Sequence, residues 1–384
     1  MDLGFLRSLY EEAPDGVRWA SVYLDTTPTV EIAGAELELR WRSARQRLAA
    51  DGADEATLDA VGEALSGATH DSRGQAVFAA DGAVRLSVHL PSPPRQEISR
   101  YSPLPHVMPL LAQLPPRAPH VRVAAARGGA EVVAVPARPT DPDRPPGPIE
   151  GTPARQVTGS HSWPVHKVSA GGLSELRLQR SVEETWAANA KEAVAAATAA
   201  ADRVGAEFVV VGGDVRERGM LIEVLPARLR DNAVIVDRET AADAAVFDEA
   251  AAAEAARRAE AASRARLDEF RARMDVRDLA VRRAAEGLSG TLAALRDGLA
   301  QDVLLADNPS STATAWAGPG PDDVAVTAEE LGAGETGGSV RDRADAVLSR
   351  AAARTDAGLF FLPPDAAPLR DGVGALLRAP MAAV

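Results

Sequence analysis

The stretch that most narrows the fold is Trp163 to Trp186, WPVHKVSAGGLSELRLQRSVEETW. From Ser174 onward apolar residues recur every four positions, at Leu178, Val182, Trp186, Ala190 and Val194, which predicts one long amphipathic helix reaching about Arg203. A strand carrying Val165 and Val168 precedes it, and Gly171-Gly172 joins the two. Adjacent glycines reach backbone conformations with positive φ and put no side chain in the way of an approaching partner. The first helical turns carry Arg177 and Arg180. Residues of these types in this order describe a basic glycine tip on a rigid rod. An ordinary strand-to-helix connection can use the same residues, because one Gly-Gly pair is a weak motif.

Charge sharpens that reading. The whole chain carries a formal net charge of −13, which opposes general attraction to a polyanion. Between Gly151 and Arg180, however, Arg155, Lys167, Arg177 and Arg180 face only Glu175, a local net of +3 before His161 and His166 are added. A nucleic-acid role therefore needs a local basic surface, and this segment supplies one. Zero cysteines exclude disulfides, thiolate catalysis and cysteine zinc sites. His161 and His166 lack a third nearby ligand, so no metal is expected. The acidic start MDLGFLRSLYEEAPD does not read as a signal peptide, and no long apolar run suggests a membrane span. The expectation is a cytoplasmic protein with no cofactor and no DNA or membrane partner.

At 384 residues the chain has material for two or three domains, and three are expected: 1–117, 118–240 and 241–384. In the first, Trp19 to Leu24 reads as a strand, Ile32 to Ala50 and Glu55 to Leu65 as helices, and Gln75 to His89 as a hairpin around Asp81-Gly82. Arg40, Arg42, Arg45 and Arg47 form either an RNA-contacting or a solvated helix face. The middle domain opens with strands Val121 to Ala126 and Glu131 to Val135 around Gly128-Gly129. A proline-rich loop over Ala137 to Pro153 follows. Beyond the long helix come a strand at Phe208 to Val211, a short helix through Leu221 and Leu225, and a strand at Ala233 to Val236. Asp214 and Asp237 read as cap or turn residues.

The last domain starts with an Ala/Glu/Arg-rich connecting helix from 241. Helices are expected over Gly287 to Ala300 and Val340 to Ala353. Strands are expected at Val303 to Ala306, Thr312 to Trp316 and Gly358 to Leu362, and Gly372 to Leu377 closes the domain. The charge between Asp322 and Asp345 is acidic, read as a surface for a protein partner or as a solvated loop.

The sequence VHKVSAGG followed by SELRLQRSVEETW resembles the middle domain of the archaeo-eukaryotic peptide-chain release factor superfamily, in its bacterial branch. ASVYLD (Ala20 to Asp25) and DGVGALLR (Asp371 to Arg378) extend the resemblance toward both ends. It implies an α/β, three-domain architecture with a ribonuclease-H-like middle domain and a ribosomal-protein-like α/β/α third domain. It also implies the ribosome as partner, with the A site of idle or stalled ribosomes as the place and elongation factor Tu as the GTPase. His166, Lys167, Gly171, Gly172, Leu173, Ser174, Arg177 and Arg180 would then contact ribosomal RNA near the peptidyl-transferase centre. Release factors place a glutamine directly after the two glycines, and here that slot is Leu173, which has no donor or acceptor. Related Vms-type peptidyl-tRNA hydrolases place a glutamine slightly later, where this chain has Glu175. The resemblance thus implies a hibernation or protection factor without catalysis. The alternatives are a peptidyl-tRNA hydrolase using Glu175 as general base, or a stress scaffold that works away from the ribosome. No lysine precedes Lys167, so the Asn-Ile-Lys-Ser motif of stop-codon readers is absent from the first domain.

Overall fold

A computed structural model describes residues 3, 6, 9–10, 16–27, 33–66, 73–90, 92–114, 118–126, 129–137, 155–158, 172–237, 244–278, 280–331, 338–363 and 365–381. The chain divides into two compact units. One comprises Met1–Pro115, Asp141–Pro148 and Glu260–Val384; the other comprises Pro116–Thr140 and Ile149–Ala259.

The first unit begins with strand Trp19–Asp25, which lies inside a four-stranded antiparallel sheet. Gly74–Ala80 and Ala83–Leu90 extend the sheet on one side and Ile98–Ser102 closes the other. Side chains alternate across a strand. Ala20, Val22 and Leu24 therefore meet helices Ala33–Ala50 and Glu55–Ser66 through Ala44, Leu48, Leu58 and Val61. Trp19 and Tyr23 turn to the opposite core with Phe78. The expected hairpin turn is present, with Asp81 at φ 52° and Gly82 at φ 71°, the pair of positive values a two-residue type I′ turn needs. Asp54 caps the second helix by accepting from the backbone N–H of Thr57 (2.9 Å) and its hydroxyl (2.7 Å). The strand Ile98–Ser102 was not legible in the sequence, because its ISRYS pattern lacks an apolar alternation.

In the second unit the five strands lie in the order Arg155–Thr158, Gly129–Val135, His120–Ala126, Phe208–Gly212, Ala233–Ile235. The first three are mutually antiparallel; the last two run parallel to the central strand His120–Ala126. Numbered by chain order this is 3-2-1-4-5, the ribonuclease-H-like arrangement. Gly213 sits at φ 131°, and a β-carbon there would lie 2.8 Å from the Ala125 carbonyl oxygen, so the close passage of these two segments requires glycine.

The last segment adds a second four-stranded sheet, in the order Ala284–Glu286, Val373–Leu377, Ala300–Leu305, Gly358–Phe361. A three-stranded sheet is formed by Val324–Ala325, Thr314–Ala317 and Val340–Arg343. Helices Gly287–Arg296 and Ala344–Arg354 pack with them. Both terminal segments of the family resemblance become interior strands: ASVYLD lies within Trp19–Asp25, and the Asp371-Gly372 turn leads into Val373–Leu377.

Residues of the first and last segments share one core, which contains Leu3, Leu6, Trp19, Tyr23, Leu110 and Leu111 together with Leu292, Val303, Val347 and Leu359. Polar bonds cross the same boundary. Asp342, with a side chain 1% exposed, accepts from Arg100 Nη2 (2.6 Å) and from the Leu104 backbone N–H (3.0 Å). Asp345 faces Arg343 (2.6 Å) and the His106 ring (3.8 Å). Within the stretch Asp322 to Asp345, Asp342 and Asp345 are therefore paired inside the unit, while Asp322, Glu329 and Glu330 remain exposed. Residues 340–343, expected as a helix start, form a strand instead, in which VRDR alternates between solvent and core.

Candidate functional site

The helix Gly172–Val204 runs 33 residues, about 50 Å at the α-helical rise. After Gly172 it contains no glycine or proline, and alanine dominates its second half, so nothing in the sequence interrupts it. It ends where Gly205 adopts φ 61° and the Ala206 N–H bonds back to the Ala201 carbonyl (2.8 Å), the closing bond of a glycine-capped helix. Its C-terminal half is fixed in the sheet core: Ala190, Ala193, Val194, Ala197, Ala200 and Ala201 are buried against Val121, Val123, Val132 and Ala134. Small side chains there let the helix lie close to the strands. The stripe expected from the four-residue spacing is present at Ala190 and Val194 and is widened by the intervening alanines.

Of the residues singled out in the sequence, the structure places Gly172, Leu173, Ser174, Glu175, Arg177 and Arg180 in the first three turns of this helix. At 100° per residue, positions 173, 177 and 180 fall along one side of the helix axis and position 175 falls on the other. His161, His166, Lys167 and Gly171 lie outside the described residues, as does the expected strand through Val165 and Val168. The proline-rich stretch lies outside them beyond Ala137.

The opposite face of the sheet carries a different chemistry. A nuclease of this topology needs a metal-binding carboxylate on the first strand. Here the described side chains on that face of His120–Ala126 are His120, Arg122 and Ala124, none of them a carboxylate. His120 stacks on Phe208 with ring centroids 4.9 Å apart, and the Arg258 guanidinium lies 4.4 Å above the same Phe208 ring. Arg122 is 8% exposed and pairs with Asp248 of the helix Ala244–Met274; burial lowers its pKa from the usual value. The arrangement is a packed ion-pair and ring cluster beneath Phe247, Ala251 and Ala255. Among the described residues no group of three His, Asp or Glu side chains is placed to hold a metal. Asp214 is the N-cap of helix Val215–Val224, accepting from the Arg216 N–H at 3.1 Å, as its position at a strand end suggested.

The arginine series of helix Ala33–Ala50 is also resolved by position. Arg40 meets Asp25, Glu36 and Glu97, and Arg45 meets Glu55 and Asp59. These two side chains are tied internally, while Arg42 and Arg47 are exposed.

A family model described as bacterial archaeo-eukaryotic release factor family 2 matches residues 119–275, which hold the ribonuclease-H-like sheet and the long helix. An uncharacterized protein of Mycobacterium tuberculosis is 31% identical over 370 residues, covering 94% of this chain and 93% of that one; a second strain has a counterpart with the same figures. This chain belongs to the bacterial branch of the archaeo-eukaryotic release factor superfamily. Among solved structures, the chain of this release-factor-like protein aligns with archaeal translation termination factor aRF1 at 14% identity and a TM-score of 0.22, covering 98% and 97% of the two chains. It aligns with Archaeoglobus fulgidus Pelota at 12% identity and a TM-score of 0.31, covering 98% and 92%. It also aligns with ribosome-bound archaeal Pelota at 11% and 0.36, covering 99% and 94%. The family assignment rests on the sequence matches; the 3-2-1-4-5 sheet order agrees with it.

Proposed function

We propose that this release-factor-like protein binds ribosomes and occupies the A site of idle or stalled particles, protecting them without hydrolysing peptidyl-tRNA. The observation that carries the reading is the helix Gly172–Val204: a rod of about 50 Å, anchored by its C-terminal half and beginning directly at the Gly-Gly pair. Its start lies in the segment of net +3 within a chain of −13. Arg177 and Arg180 share a side of the first turns, and the positive end of the helix dipole adds to their field. Ribosomal RNA phosphates match that polarity. Family membership supports a translation setting, and elongation factor Tu is the proposed GTPase partner.

Peptide release is disfavoured by the residues themselves. Leu173 occupies the slot directly after the glycines, and loss of one positioned polar group in a transition state typically costs roughly 100- to 1,000-fold in rate. Position 175 falls across the helix axis from positions 177 and 180.

Co-sedimentation of the purified protein with vacant ribosomes at physiological salt tests the proposal. Wild type is expected to pellet saturably, and Arg177→Glu/Arg180→Glu to bind roughly tenfold or more weakly through lost phosphate contacts. Gly171→Val/Gly172→Val should weaken binding without unfolding the protein. Absence of pelleting by wild type, with and without elongation factor Tu, would refute ribosome binding. Peptide release from stalled complexes that disappears in Glu175→Ala would replace protection by hydrolysis.

A further inference from the structure

Among the described side chains of the helix Gly172–Val204, the buried ones start at Asn189 and end at Ala201, a span of about 18 Å. About 25 Å of helix, Gly172 to Ala188, precedes them. The contact with the sheet is narrow. Ala190, Ala193, Val194, Ala197, Ala200 and Ala201 recur at spacings of three and four, which makes them one stripe along the helix. They share a core with Val121, Val123, Ala130, Val132 and Ala134 of the strands.

Five of the six stripe residues are alanine. Long side chains fix a packing angle by interlocking ridges and grooves, and a stripe of methyl groups supplies little of that lock. The angle of this helix on the sheet then depends on how closely the two ends of the stripe approach the strands. Ala193 and Ala200 mark those ends, about 10 Å apart. The C-terminal end carries further ties, an Arg228–Asp202 ion pair and the bond from the Glu207 N–H to the Pro119 carbonyl (2.8 Å). Position 174 lies about 39 Å from Ala200 and about 28 Å from Ala193 along the axis. A rise of about 1 Å at one end of the 10 Å base therefore moves position 174 by about 3 Å.

We propose that Ala193 and Ala200 are positioning residues, whose small size sets the angle of the helix on the sheet and so the aim of its basic start. Added volume at Ala193 tips the start away from the sheet, and added volume at Ala200 tips it the other way. Added volume at both restores the angle. The purpose of the aim rests on the proposed ribosome contact; the angle itself does not.

Pulsed electron-spin distance measurement on the full chain tests the angle without ribosomes. The sequence contains no cysteine, so Glu131→Cys and Ser174→Cys carry the only nitroxide labels. Glu131 is exposed and alternates with Val132, which faces the helix, so its label sits on the far side of the sheet. Ala193→Val is expected to lengthen the distance by about 3 Å, Ala200→Val to shorten it by about 2–3 Å, and the double variant to return it near its starting value. Circular dichroism melts should show the double variant to be the least stable of the three. In co-sedimentation each single variant should bind ribosomes several-fold more weakly and the double variant should recover, the reverse of the order that lost stability would give. Ala193→Ser and Ala200→Ser repeat the comparison with smaller shifts if the valine variants do not fold. Unchanged distances, shifts of the same sign, or a double variant displaced further than either single would overturn the inference. So would single variants that bind ribosomes as tightly as a wild type that binds them. Failure of the wild type to bind would refute the ribosome reading and leave the distances to decide the angle.

Discussion

Asp342 offers the sharpest test of how the first unit is held together. Its carboxylate, 1% exposed, accepts from Arg100 (2.6 Å), the Leu104 N–H (3.0 Å) and the Arg343 N–H (2.7 Å). Asp342→Ala removes all three acceptor contacts. The Leu104 N–H, in a residue 7% exposed, is then left without its acceptor, at about 1–3 kcal/mol. Arg100 is 38% exposed and recovers water, so its share is smaller. The sum is roughly 2–4 kcal/mol. Asp342→Asn keeps one oxygen for Leu104 but turns an amide N–H₂ toward donors, so it should cost about 2 kcal/mol. Arg100→Ala leaves the buried carboxylate with its backbone N–H donors but without its cation, and should cost roughly 3 kcal/mol. The assay is urea unfolding followed by tryptophan fluorescence, for which Trp19, 3% exposed in the affected core, is a reporter. An Asp342→Ala loss under about 1 kcal/mol would refute the argument. So would an Arg100→Ala loss under about 1 kcal/mol, because the buried carboxylate would then not depend on its cation.

Two further perturbations follow from the same unit. Burial raises the Asp345 pKa, but contacts from His106 and Arg343 outweigh this and bring it from 3.8 down to about 2. Because the folded value lies below the unfolded one, the contribution of about 2 kcal/mol is present in full above about pH 4 and is lost as pH falls toward about 2. The stability gap between wild type and Asp345→Asn should narrow over that window in acid titrations of unfolding, and a gap constant with pH would refute it. At Gly374 a β-carbon would lie 2.7 Å from the Phe270 ring, which is 2% exposed. Gly374→Ala should therefore destabilise by roughly 1–3 kcal/mol, and Phe270→Leu in the same chain should recover part of the loss. Additive losses in thermal melts would show that the two residues do not meet.

How much was legible in the sequence depended on how local the cause was. The hairpin at Asp81-Gly82, the cap at Asp214 and the long helix from Gly172 are set by neighbours within a few residues, and their signals lie in the chain itself. The strand Ile98–Ser102 exists because the central strand Trp19–Asp25 offers it a pairing edge, a cause outside its own sequence. The candidate tip is a reading from composition, Gly-Gly followed by spaced arginines.

By itself, the sequence determined the periodicity of the elements, the basic segment inside an acidic chain and the family to which the chain belongs. Tertiary structure alone decided that segments some 240 residues apart share a core, and hence that Asp342 and Asp345 are interior anchors rather than an acidic surface. The physical reason is that a carboxylate's role depends on which donors reach it, and those donors, Arg100, Leu104 and His106, come from the other end of the chain.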